Sequence, residues 1–289
     1  MSRPETLSGR RVVVTGANSG IGRQTARALA RAGAEVILVC RDPGRGDEAL
    51  NSIREETGNQ TTALMQCDLS SQASIRQFCG AFRERYEHLD VLVNNAGGYF
   101  AERGTSVDGL ELTFALNHMG YFLMARGLGP SLRASTAARV VNVGSLVHRA
   151  GHLDFEDLQW QRRRYMGLRT YCDSKLMNVL FTKALSNRLA GVGITANCLH
   201  PGAIRSGFAA RETGWFGGLV RMGSWVLTSA ETGAKTSIYL ASEPKVADVT
   251  GHYFVNCRPR RPSRAARNVR LSERLWAASE ALIEIDPLD

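Results

Sequence analysis

Nowhere in the chain do two cysteines form a Cys-x-x-Cys pair, and no cysteine stands with histidine at metal-ligand spacing. The six cysteines (40, 67, 79, 172, 198 and 257) fall singly, several inside apolar runs where a free thiol behaves as a small hydrophobe. This pattern predicts no metal site and no structural disulfide, as in a reducing compartment. No apolar run approaches the ~20 residues needed to cross a bilayer, and Met1–Arg11 is too polar for the apolar core of a signal peptide. The expectation is a cytoplasmic protein without a transmembrane anchor. Proline is scarce, at 8 residues, and charged residues make up 22%, so composition gives no ground for disorder. No helix-turn-helix, zinc-finger or RNA-binding signature accompanies the net charge of +9, so nucleic acid is not an expected partner. An anionic substrate, a phosphate-rich cofactor or peripheral contact with an anionic membrane would suit the excess of cations.

What is present suffices for a sizeable core: 44% hydrophobic content over 289 residues, with no linker, reads as one domain spanning 1–289. A β-branched strand, Arg11–Val14, runs into Thr15-Gly16-Ala17-Asn18-Ser19-Gly20-Ile21-Gly22. A helix to about Ala32 follows, with Ile21, Thr25, Ala28 and Leu29 at helical spacing. Strand, glycine-rich turn and helix form the context in which a diphosphate rests on backbone N–H groups at a helix N-terminus. Thr15, Gly16, Asn18, Ser19, Gly20, Ile21 and Gly22 are therefore candidate cofactor contacts, although the spacing is G-x-x-x-G-x-G rather than G-x-G-x-x-G. The second strand, Glu35–Cys40, ends where an acidic residue would accept the 2′-hydroxyl of an NAD ribose. Cys40 and Arg41 stand there instead, and a guanidinium can bind a 2′-phosphate. Arg41 thus favours NADP(H) over NAD(H), while Asp42 weakens its field and a plain surface role stays open.

A third strand near Thr62–Cys67 ends in Asp68-Leu69, where the carboxylate can accept an adenine amino group or cap the next helix. The fourth, Leu89–Val93, runs into Asn94-Asn95-Ala96-Gly97, whose small residues let a cofactor approach the backbone, or form a plain loop. Asn117 precedes a fifth strand, Arg139–Val143, which ends in Gly144-Ser145. Five strand–helix repeats predict a parallel, doubly wound sheet, and Ser145 then lies at the strand C-termini where such sheets bind ligands. Tyr171 is expected to open the next helix, with Lys175 one turn on and on the same face. A free phenol titrates near pH ~10, and an adjacent ammonium should lower that value into use. A sixth strand, Ile194–Leu199, ends in His200-Pro201-Gly202, and a seventh is expected at His252–Val255. The predicted architecture is a single-domain Rossmann fold with a mostly parallel seven-stranded sheet and helices on both faces.

Together these motifs resemble the short-chain dehydrogenase/reductase family. The matching residues are Thr15–Gly22, Asn94–Gly97, Asn117, Ser145, Tyr171-x-x-x-Lys175 and Pro201-Gly202. Cys40-Arg41-Asp42, Asn117–Gly120, Leu153-Asp154-Phe155, Ser174–Phe181, His200-Pro201-Gly202 and Leu275-Trp276 resemble its retinol dehydrogenase-like branch. The resemblance implies that Tyr171 is the general acid in reduction and the base in oxidation. It implies that Lys175 holds the nicotinamide ribose and lowers the phenol's pKa, and that Ser145 hydrogen-bonds the substrate oxygen. It also gives Asn117 a proton-relay water held through its helix backbone. Asp68, Leu69, Asn95, Ala96, Gly97, Pro201, Gly202 and Ile204 would line the cofactor. Relatives in this branch often carry an N-terminal membrane anchor, whereas none is expected from this sequence. Gly144-Ser145 stands where Ser-Ser is more usual, and Tyr99 and Phe100 stand where small aliphatics are commoner.

Two segments should build the substrate site, 146–170 with Phe155, Trp160 and Tyr165, and 203–230. In the second, Trp215, Leu219, Met222 and Val226 share one apolar helical face, which suits either core packing or closure over a lipophilic substrate. The expected activity is NADP(H)-dependent interconversion of a lipophilic aldehyde or ketone with its alcohol, retinal/retinol-like or another carbonyl, with reduction favoured. NAD-dependent oxidation of a steroid or other secondary alcohol, and a non-catalytic nucleotide-binding scaffold, are the alternatives. A homodimer is compatible with the sequence. Between Arg258 and Arg270 six arginines occur without an acid, as a solvated surface or a contact for an anionic membrane or substrate group.

Overall fold

A computed structural model describes residues 7–202 and 229–283. Strand and helix alternate through β1 (Arg11–Thr15), α1 (Gly20–Arg31), β2 (Glu35–Cys40), α2 (Pro43–Thr57), β3 (Ala63–Gln66), α3 (Gln72–Arg85) and β4 (Val91–Asn94). Next come α4 (Leu112–Phe114), a π-helical turn (Ala115–Met119), α5 (Gly120–Gly127), α6 (Gly129–Arg133) and β5 (Ala138–Val143). A 3-10 turn (Leu146–Ala150), α7 (Gly167–Arg188) and β6 (Ile194–His200) follow. The described chain then gives α8 (Ala230–Ser242), β7 (Tyr253–Val255), β8 (Arg258–Arg260) and α9 (Val269–Glu280).

The strands form one sheet in the order β3-β2-β1-β4-β5-β6-β7-β8. Every pairing from β3 to β7 is parallel, and β8 alone runs antiparallel. Central strands are apolar on both sides because both faces are covered by helices. Val12 and Val14 pack under α1, α2 and α8, whereas Val13 turns to the opposite face with Phe78, Phe122, Phe181 and Trp276 of α3, α5, α7 and α9. The chain leaves the β3 edge and crosses to β4 on the far side of β1. That reversal opens a crevice above the C-terminal ends of β1 and β4, the place where doubly wound sheets bind ligands.

Two sequence expectations need correction. The sheet has eight strands, not seven, because Asn256 and Cys257 both adopt left-handed backbone (φ 51° and 59°) and fold the arginine-rich segment back along β7. Tyr171 does not open its helix. The helix starts at Gly167, where the chain passes so close to the Phe100 carbonyl and Ala101 that a side chain would not fit, and Tyr171 lies in the second turn.

Candidate active site

The glycine-rich turn meets the Asn95–Gly97 loop in the crevice. A side chain on Gly16 would come within 2.9 Å of the Ala96 Cα, and one on Gly22 would collide with the Gly16 carbonyl and the Asn95 amide. Gly16 also has φ +64°, so both space and backbone conformation require glycine there. Ser19 precedes α1 without a side-chain cap, which leaves the first N–H groups of that helix facing the crevice. Thr15 Oγ accepts from the N–H groups of Asn95 (2.8 Å) and Ala96 (3.0 Å), and the Asn95 amide donates to the Thr15 carbonyl at 2.7 Å. Thr15 and Asn95 therefore fix the cradle by binding each other. A diphosphate fits this set: free helix N–H groups, glycines at the points of closest approach, and no acid among Thr15–Gly22.

At the β2 end, Gly16 and Ala17 donate to the Val39 carbonyl (2.8 and 3.3 Å), which sets Arg41 two residues beyond the cradle. The Arg41 side chain is exposed, and its carbonyl accepts from Gln66 at 2.9 Å. Asp42 turns to the N-terminus of α2, accepting from the Arg45 N–H at 3.1 Å. Asp68 accepts from the backbone and hydroxyl of Ser70 (2.9 and 2.7 Å), while the cap of α3 is Ser71. Leu69 is buried against Gly120. Pro201 and Gly202 (φ +94°) end β6, and Ile204 lies outside the described residues, as does the expected 215–226 apolar face.

Asn117, Lys175 and Gly97 converge: a side chain on Gly97 would lie 3.2 Å from Asn117 Oδ1 and 3.5 Å from Lys175 Nζ. The π-helical turn carries Asn117, and one residue inserted into a helix in this way often marks a functional position. Its side chain accepts from Gly98 N (2.8 Å) and donates to the Gly98 carbonyl (2.9 Å) and to Ser174 Oγ (3.0 Å). The hydrogen-bond network orients the Asn178 amide toward the Asn117 carbonyl at 2.7 Å. That carbonyl is the group to which the resemblance assigns a water. Lys175 Nζ donates to the Val143 carbonyl at 3.2 Å, two residues before Ser145, and lies 5.5 Å from the centre of the Tyr171 ring.

Electrostatics here depart from the expected acid–base tuning. Burial pushes the Tyr171 phenol up to about 12, and burial pulls Lys175 down to about 8. Desolvation is the leading cause at both groups, and the neighbouring Cys172 adds to it at Tyr171. Burial thus favours the neutral, proton-donating form of Tyr171.

Several neighbours were not legible in the sequence as site residues. Tyr99 packs edge-on against Tyr171 (6.2 Å, 74°). Buried His148 accepts from the Ser263 N–H through Nε2 (3.1 Å), so its Nδ1–H donates to the Ser145 carbonyl at 2.7 Å. No local signal could link 148 to 263. Segment 146–170 is organised by Asp157, which accepts from the N–H groups of Gln161, Arg162 and Arg163. Its aromatics pack inward rather than lining an open site. Trp160 is 5% exposed under the Arg163 guanidinium (3.7 Å), and Tyr165 donates toward Glu111 and Phe100 (both 3.1 Å). Phe155 lies beneath Arg274. The outward apolar residues are instead Leu146 (48% exposed), Met166 (56%) and Leu168 (41%), which flank Ser145 and Tyr171 in sequence.

Lys175 and Asn117 thus meet beside Gly97 and the glycine-rich turn, with Tyr171 one turn before Lys175 on the same helix. The family model for short chain dehydrogenases matches residues 10–215. The chain belongs to the short-chain dehydrogenase family. Human retinol dehydrogenase 13 is 43% identical over 97% of this chain and 86% of its own length. Human retinol dehydrogenase 12 is 41% identical over 96% and 88%. Bovine dehydrogenase/reductase SDR family member 13 is 42% identical over 98% and 75%. These place the dehydrogenase in the retinol dehydrogenase-like branch, as an oxidoreductase acting on CH–OH groups with a nicotinamide cofactor. Among solved structures, an uncharacterised protein from Mycobacterium paratuberculosis superposes with a TM-score of 0.81, 33% identity, and 99% and 97% coverage. The Pseudomonas aeruginosa RhlG/NADP active-site complex does so with a TM-score of 0.70, 28% identity, and 87% and 96% coverage. Among the described residues no group of His, Cys, Asp or Glu could hold a metal, and no helix is long and apolar enough to cross a membrane.

Proposed function

We propose that this dehydrogenase interconverts a lipophilic aldehyde or ketone and its alcohol with NADP(H), working mainly as a reductase. The observation that carries the reading is the meeting of Lys175, Asn117 and Gly97 beside the cradle, with Tyr171 one turn before Lys175 on the same helix. The α1 N-terminus and the Gly16–Gly22 turn would hold the diphosphate, with Asp68, Leu69, Asn95, Ala96, Gly97, Pro201, Gly202 and Ile204 along the rest of the cofactor. The cofactor supplies the hydride. In reduction, Tyr171 Oη gives its proton to the carbonyl oxygen of the substrate as negative charge develops there. Ser145 Oγ donates a hydrogen bond to the same oxygen, a contact that strengthens toward the transition state. Lys175, as a cation, stabilises the phenolate left behind and would hold the ribose hydroxyls. Asn117 fixes the loop beneath Lys175 and offers its carbonyl to a proton-relaying water.

Arg41 supports the NADP(H) preference: it is exposed beside the cradle, while the neighbouring Asp42 is committed to the α2 N-terminus. Leu146, Met166 and Leu168, exposed beside Ser145 and Tyr171, support a lipophilic substrate such as a retinoid or a lipid-derived aldehyde. Purified protein should oxidise NADPH with all-trans-retinal or a medium-chain aldehyde, followed as loss of nicotinamide absorbance. Tyr171→Phe should remove that activity by at least about 100-fold, the scale of a general acid. Activity that survives the substitution takes Tyr171 out of the mechanism.

A further inference from the structure

The register of the sheet lays Cys198, Tyr253 and Arg260 in one row across β6, β7 and β8. This row floors a cavity of about 500 Å³ that shares no lining residue with the candidate active site. Val179, Thr182 and Lys183, at i, i+3 and i+4 on one face of α7, cover it. The segment after β8 forms its side wall with Arg261, Pro262 and Arg267. The volume lies in the range of sites that take a small organic ligand.

Its charge is one-sided. Lys183, Arg260, Arg261 and Arg267 line it without a single Asp or Glu. None of the four forms an ion pair among the described residues, whereas nearby Arg188 and Arg274 pair with Glu273 and Glu156. Converging cations without a counter-charge repel one another and draw an anion. A second observation comes from the floor. Tyr253 is 2% exposed, and its hydroxyl meets no hydrogen-bond partner among the described residues. The rest of the lining is mixed, with Val179, Pro259, Pro262 and Ala266 on the apolar side and Thr182 and His252 on the polar side.

We propose that this cavity binds a single-chain amphipathic anion, a fatty carboxylate or an alkyl phosphate. The head group rests on Arg260, Arg261 and Arg267 through charge-assisted hydrogen bonds, and the chain lies against Val179, Pro262 and the Tyr253 ring. The site is independent of the reaction proposed above and stands whether or not that reading does.

The test is calorimetric titration of the full chain, saturated with NADPH, with dodecanoate, dodecyl phosphate, methyl dodecanoate and inorganic phosphate. Both amphipathic anions should bind one to one. Arg260→Glu/Arg267→Glu should weaken them by about tenfold or more, since two attractive charges become repulsive ones, and Tyr171→Phe should leave them unchanged. Both arginines are exposed, so the double variant should keep the parent's circular dichroism and thermal midpoint, and Arg261→Glu serves as a second variant. Equal binding by the double variant and the parent overturns the proposal. So does uncharged methyl dodecanoate binding as tightly as dodecanoate, or phosphate alone binding as tightly as dodecyl phosphate. Binding seen only with vesicles of anionic phospholipid, and never with the monomeric amphiphiles, would replace the cavity by a membrane-facing surface.

Discussion

Lys175 shows most directly how one residue is held in a state that serves chemistry at the expense of stability. It is buried, it donates to the Val143 carbonyl, and burial lowers its pKa from 10.5 to about 8. The shift corresponds to roughly 3 kcal/mol of strain on the protonated form in the folded state. Because the folded value lies below the unfolded one, this strain is present in full below pH 8 and fades as pH rises toward 10.5. Lys175→Met should therefore abolish activity yet raise the thermal midpoint at pH 7 by several degrees, with a gain that shrinks above pH 8. Differential scanning calorimetry at pH 7 and pH 9.5 checks both parts. If the lysine must be a cation in reduction, kcat/KM should be flat to about pH 8 and fall beyond it. Lys175→Arg should lack that alkaline limb in whatever activity it retains, which a pH–rate profile measures.

At the scale of elements, two supports behind the site can be separated. The C-terminal helix α9 brings Trp276 into the core, stacked on Phe181 (6.0 Å, 16°) and edge-on to Phe122 (4.8 Å). One turn on, Ser279 meets His118 of the π-helical turn at 2.7 Å. Trp276→Ala should cost about 3–5 kcal/mol, the usual range for an aromatic removed from a core, read from chemical denaturation. Asp173 of α7 accepts from His152 N (2.8 Å), and burial raises its carboxyl from 3.8 to about 6. A raised carboxyl pKa favours the fold when protonated, so that contribution is complete below pH 3.8 and lost as pH climbs through 6. Asp173→Asn keeps the acceptor without the charge. It should stabilise the protein by up to roughly 2–3 kcal/mol at pH 7 and match the parent near pH 3.5, as thermal melts at the two pH values would show.

For the whole molecule, the proposed NADP(H) preference should appear as linkage between binding and folding. NADPH at 100 times its dissociation constant should add about 2.7 kcal/mol to stability. NADH at equal concentration should add less, and Arg41→Ala should erase the difference, as thermal melts with each cofactor would show. Equal shifts from NADH and NADPH in the parent would remove the 2′-phosphate role from Arg41. Much of this architecture was legible in the chain. Buried β-branched runs fixed β1, β2 and β5, and Gly16 and Gly22 marked the turn beside the Asn95–Gly97 loop. Ser145, Tyr171 and Lys175 could be placed at one sheet edge because their spacing follows strand and helix periodicity. The start of α7 could not be read because it depends on Phe100, distant in sequence, whereas the eighth strand and the inward turn of Trp160 rest on short turns, at Asn256-Cys257 and around Asp157, whose residues carry no strong turn signature. By itself, then, the sequence determined which residues share a strand, a turn or a helix face, since those relations are set by local backbone geometry. Only the tertiary structure decided the protonation of Tyr171 and Lys175, the tie from His148 to Ser145 and the gathering of Lys183 with three arginines over one cavity. Burial and through-space charge depend on what the rest of the chain packs against each group.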